Sequence, residues 1–194
     1  MSDIATPLAA APYIVGLGGA IRSGSSTEKA LRHVLAAAER GGARTLLISG
    51  EGLRLPLYAP EDLDRCAAAR TMIAELARAD GIVLGSPGYH GTLSGVIKNA
   101  LDYAEDLRDD GRPYFSGRAV GCLATGGGWQ GAVHTLGALR NIVHALRGWP
   151  TPMGAAINTS EGVFDADGVC LTPGVAATLD QIAVEVLGFA RAWT

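Results

Sequence analysis

The chain is poor in the residues that announce several common chemistries. Its three cysteines, Cys66, Cys122 and Cys170, are scattered without a C-x-x-C pair, and its four histidines, His33, His90, His134 and His144, lack zinc-ligand spacing. A disulfide framework and a zinc centre are therefore not expected, and an odd number of dispersed thiols fits a reducing cytoplasm. Basic residues are in no excess: 16 Lys and Arg against 19 Asp and Glu give a formal net charge of −3, which argues against a nucleic-acid partner. No run approaches the roughly 18 uninterrupted apolar residues of a membrane span. The Ala- and Pro-rich opening, Met1 to Pro12, lacks the basic segment and apolar core of a secretion signal and reads as a flexible tail. The expectation is a soluble, cytoplasmic protein.

What the chain does have is apolar residues, 48% of the total, and 27 glycines in 194 residues. That length fits one domain, placed at 13–194, able to bury a core without disulfides or metals. Short apolar runs alternate with longer amphipathic ones. The runs Tyr13 to Gly18, Thr45 to Ile48, Gly81 to Gly85, Ala119 to Ala124 and a part of Thr151 to Asn158 read as strands. Between and after them, Ser25 to Arg40, Leu63 to Ala79, the stretch from Leu93 to Leu107, Gln130 to Arg147 and Thr172 to Trp193 carry apolar residues at helical spacing. Asp165 to Gly168 reads as a turn in a small excursion before the last helix. Five strands interleaved with five helices imply an open, doubly wound α/β fold, with ligands at the carboxyl ends of the strands.

Three unusual loops fall at those ends. The first, GLGGAIRSGSST, fails the dinucleotide pattern G-x-G-x-x-G because Ile21 takes the last glycine's place, and no acidic residue ends the second strand. It suits a monophosphate better: Arg22 offers a bidentate cation, and Ser25, Ser26 and Thr27 offer hydroxyls where a helix begins. A plain serine cap would need only one of them. The second loop, SPGYHGT, combines Pro87, which fixes the backbone, with Gly88, expected to permit a sharp turn, and Tyr89, an aromatic wall for a flat ligand. The third, Thr125-Gly126-Gly127-Gly128-Trp129, brings bare backbone to a helix start, where N–H groups stabilise negative charge. Cys122 reads as core packing. His134 and His144 have no adjacent nucleophile, and no catalytic side chain or metal ligand is expected.

The stretch SPGYHGTLSGVIKNALDY resembles the P-x-Y-N-G-S-x-x-G-x-L-K-N-A-L-D-W signature of the NADPH-dependent FMN reductase family, matching at Gly95, Lys98, Asn99, Ala100, Leu101 and Asp102. Arg22 to Thr27 resembles that family's phosphate loop, and Thr125 to Gly128 its third flavin loop. The chain departs from the pattern with Ala20 for serine, Thr27 for asparagine, His90 for asparagine and Tyr103 for tryptophan. The resemblance implies a flavodoxin-like three-layer sandwich with a five-stranded parallel sheet in the order 2-1-3-4-5, and non-covalent FMN. The FMN would be held by Arg22, Ser25, Ser26 and Thr27, by Pro87, Gly88, Tyr89, His90 and Gly91, and by Thr125, Gly126, Gly127 and Gly128. His90 either hydrogen-bonds the flavin edge or faces solvent beside it.

The resemblance further implies reduction by NADPH or NADH and ping-pong transfer to a quinone, an azo compound, an oxidised metal ion or free flavin. It also implies a homodimer or homotetramer built partly through the helix containing Lys98. The rival readings are a flavodoxin-type electron carrier, the reductase component serving a partner monooxygenase, and a flavin-free binding module.

Overall fold

The computed structural model describes residues 10–193; residues 1–9, most of the expected tail, and Thr194 lie outside them. Strand β1 (Tyr13–Gly18) is flanked by β2 (Arg44–Ile48) and β3 (Gly81–Tyr89), both parallel to it, with Ile14 opposite Thr45 on one side and Gly81 on the other. A two-residue strand, β4 (Thr92–Leu93), folds back antiparallel on the end of β3. Strands β5 (Ala119–Gly126) and β6 (Trp149–Asn158) complete the parallel sheet in the order β2-β1-β3-β5-β6. Setting aside the short β4, this is the expected 2-1-3-4-5 order.

Side-chain alternation along the strands feeds two cores. Ile14, Val83 and Leu123 point to the face covered by α1 (Ser26–Arg40) and α5 (Pro173–Trp193), where they meet Leu31, Val34, Leu179, Ile182 and Val186. Val15, Leu17, Ile82, Leu84, Val120 and Cys122 point to the other face. There they meet Met72 and Leu76 of α2 (Ala67–Arg78), Ile97 and Leu101 of α3 (Gly95–Asp102), and Leu139 and Val143 of α4 (Trp129–Ala145). Each large apolar side chain buried in this way contributes about 1.5–3 kcal/mol. Cys122 is fully buried, and burial pushes its thiol pKa up to about 12, in keeping with a packing role.

Four boundaries among α2, β3 and α3 differ from the sequence reading. The third strand continues past Gly85 through Ser86, Pro87, Gly88 and Tyr89. The following helix starts at Gly95, because Thr92 and Leu93 pair with Tyr89 and Gly88 and Ser94 caps the helix, its Oγ accepting from the Ile97 N–H at 3.3 Å. The apolar stripe beyond Asp102 tightens into a 3-10 turn, Tyr103–Leu107. The second helix starts at Ala67 instead of Leu63, since Arg65 holds the preceding turn to Asp106 and to the Ala59 carbonyl. The expected excursion before the last helix is present as a bridge between Phe164 and Cys170.

Candidate functional site

The chain order reverses between β1 and β3, so the loops leaving their carboxyl ends diverge and open a crevice. Ser25 caps α1: its Oγ accepts from the Glu28 N–H at 3.2 Å and its carbonyl from the Lys29 N–H at 2.9 Å. Glu28, buried, reaches back to accept from the Gly24 N–H at 3.1 Å and is neutralised by Arg32, whose Nε and second guanidinium nitrogen approach to 3.0 and 2.7 Å. Ser25 and Glu28 thus form a variant of the S-x-x-E cap that closes the first loop, a role the sequence reading missed. Ser26 and Thr27 begin the helix, where backbone N–H groups have no intrahelical carbonyl. Arg22 is exposed and makes no hydrogen bond or ion pair with the described residues.

Thr27 and Thr125 meet beneath the crevice, their hydroxyl oxygens 2.6 Å apart and buried. This bond ties the first loop to the third. Of the hydroxyls assigned to a phosphate, Thr27's is engaged within the protein, whereas Ser25 keeps its proton free to donate.

The second loop is a hairpin. Pro87, Gly88 and Tyr89 are extended strand, not the sharp turn expected of them. Gly88 is bare because α4 lies against it: a Cβ there would come within 2.7 Å of Thr135 Oγ1 and 3.0 Å of the Gly131 carbonyl oxygen. The reversal occurs one step later, at His90 (φ 49°) and Gly91 (φ 92°). Positive φ at both central residues of a two-residue loop is the hairpin geometry that asparagine-glycine favours. His90 therefore faces solvent at the hairpin tip.

A cleft of about 280 Å³ gathers Arg22, Ser25, Ser26 and Thr27 from the first loop, Pro87, Gly88 and Tyr89 from β3, and Thr125, Gly126 and Gly127 from the third loop, with Ala20 and Thr159 completing it. His90, Gly91 and Gly128 are outside its lining. Gly128 caps α4 in extended conformation. A larger cleft of about 460 Å³ beside Lys29 and Arg32 draws on the first loop but reaches neither β3 nor the third. The sequence reading missed Thr159, which donates to the Gly126 carbonyl at 3.0 Å. Its position just past the end of β6, where ligand-binding residues of such sheets gather, was the available signal. Trp129, half exposed, donates its indole N–H to Glu161 at 3.1 Å.

The lining matches a phosphorylated, flat ligand. Among the described residues, Arg22 is its only charged one and has no hydrogen-bond or ion-pair partner. A Cβ on Gly127, which lines the cleft, would meet no protein atom within 4 Å, so the backbone there is open to close approach by a ligand. The half-exposed Tyr89 ring stands at the margin.

Parallel strand order, flanking helices and a crevice at the strand ends define a flavodoxin-like α/β protein. The chain belongs to the NADPH-dependent FMN reductase family, whose model matches residues 12–162. An FMN-dependent NADPH-azoreductase from Staphylococcus aureus is 39% identical over 90 residues, 46% of this chain and 44% of that protein. The chain thus matches less than half the length of these curated relatives. Among solved structures, FerB, a flavoenzyme NAD(P)H:(acceptor) oxidoreductase from Paracoccus denitrificans, shares the fold with a TM-score of 0.76 at 23% identity, covering 93% of this chain and 98% of its own. A flavodoxin, WrbA-like protein from Agrobacterium tumefaciens does so with a TM-score of 0.63 at 18% identity, covering 95% and 99%.

Proposed function

We propose that the chain binds FMN non-covalently in the three-loop cleft and works as an NAD(P)H-dependent oxidoreductase that reduces a small-molecule acceptor. The observation that carries this reading is the convergence, in one cleft, of an arginine with no partner among the described residues, a helix N-terminus and an unpacked glycine, Gly127. Family membership and the FMN-dependent relative point the same way.

Arg22, the Ser25 hydroxyl and the N–H groups of Ser26 and Thr27 hold the phosphate, combining charge-assisted hydrogen bonds with the positive end of α1. Tyr89 would wall one side of a bound ring, and the extended Pro87–Tyr89 backbone would offer its polar groups to the ring edge. The N–H groups of the third loop, at the start of α4, receive the negative charge that the cofactor gains on reduction. When bound, FMN would supply the redox chemistry between a nicotinamide and the acceptor, so the protein needs no acid or base side chain. Donor and acceptor would occupy the cleft in turn, a ping-pong scheme. The acceptor is an azo compound, a quinone or free flavin, and the azoreductase relative favours the first. The working form is a homodimer or homotetramer.

Anaerobic addition of NADPH or NADH to FMN-loaded protein should bleach its yellow colour, and an azo dye or quinone should restore it. Retained FMN that neither nucleotide bleaches would instead make the chain an electron carrier.

A further inference from the structure

The third loop is fastened from outside the cleft. Glu161 Oε1 accepts two hydrogen bonds, from the indole N–H of Trp129 at 3.1 Å and from Asn158 Nδ2 at 2.9 Å. Trp129 is the first residue of α4, directly after Gly128, while Asn158 ends β6 and Glu161 ends the 3-10 turn beyond it. Asn158 Oδ1 in turn accepts from the Ser160 N–H at 3.2 Å and from its hydroxyl at 2.8 Å, which fixes that turn. Thr159 holds the near side of the same loop through the Gly126 carbonyl. Gly127 and Gly128 therefore lie between two anchored ends and have no side-chain contacts of their own to order them.

We propose that Trp129, Glu161 and Asn158 form a latch that holds the Gly127–Gly128 backbone in its cofactor-receiving conformation, with Trp129 and Glu161 as positioning residues. This rests on the assignment of FMN to the cleft. Ordering two glycines is entropically expensive, and an anchored loop meets part of that cost before the ligand arrives. The latch also has an electrical side. Glu161 places a carboxylate beside the positive end of α4, so it opposes the charge that the N–H groups there are set to stabilise.

The two roles separate in two variants. Trp129→Phe removes the donor and keeps the Glu161 charge. Glu161→Gln keeps a carbonyl oxygen able to accept both bonds and removes the charge. The test is FMN affinity, read from fluorescence quenching, together with the midpoint potential of the FMN-loaded protein. Trp129→Phe should weaken FMN binding about fivefold or more, the loss of one partly exposed hydrogen bond together with loop order. It should also lower the potential. Glu161→Gln should bind FMN within about twofold of the unsubstituted protein, a difference under 0.5 kcal/mol, and should raise the potential.

Opposite shifts of potential do not arise from general loss of structure. Unchanged affinity in Trp129→Phe, or potentials that move the same way in both variants, would overturn the latch while leaving the cofactor assignment intact. Failure of the unsubstituted protein to bind FMN would overturn both.

Discussion

His90 shows how one residue can resemble a site element and serve the chain's geometry. It stands where the family has asparagine, and the structure places it at the first central position of a hairpin turn with φ of 49°. Histidine tolerates this left-handed conformation better than most side chains, but asparagine followed by glycine suits it best. His90→Asn should therefore stabilise the protein by about 0.5 kcal/mol, about 1–2 °C in Tm for a chain of this length. Thermal unfolding checks this, and a lower Tm would show that the imidazole has a further partner. At the same scale, the place of Arg22 at the cleft was legible from its loop, whereas Ser25 also has the local use of capping α1. Glu28 was less legible, since its backward reach to Gly24 depends on how the loop closes.

The element read least well is β3. Proline and glycine normally argue against a strand, and the sequence reading ended it at Gly85. In the structure, β1 stops at Gly18, opposite Gly85, while β5 continues alongside as far as Pro87 paired with Thr125. Beyond Gly85 the strand has lost its β1 neighbour, so a missing proline N–H does not break a continuous two-sided ladder. Gly88 then meets α4, an interhelix-to-strand approach that no local pattern reveals. Gly88→Ala should push Thr135 and the Gly131 carbonyl away, at a cost of about 1–3 kcal/mol from overpacking. Denaturant unfolding should show the loss. An unchanged midpoint would mean that α4 moves freely relative to β3.

At the scale of the whole molecule, the five strands were readable because each apolar run has a length and flanking turns that suit a buried parallel strand, whereas their order came from the family resemblance. The carboxyl-end rule then located the three loops. Thr159, Asn158 and Glu161 escaped because their relation to the third loop exists only once β6 lies beside β5, with Gly126 opposite Asn158. Arg118 escaped for a similar reason: fully buried, it donates to the carbonyls of Ala79 and Tyr114 and fastens the end of α2 to the segment before β5. Burial, with Arg112 nearby, lowers its guanidinium pKa to about 10.

The proposed FMN site rests on Arg22, the one charged group among the described residues that line the cleft. Titration of FMN into the apoprotein, followed by quenching of flavin fluorescence, tests it most directly. One FMN should bind per chain, and Arg22→Ala should raise Kd about tenfold or more, as expected for losing a charge-assisted phosphate contact. Fluorescence that stays unquenched, or equal affinity in the two proteins, would contradict this assignment.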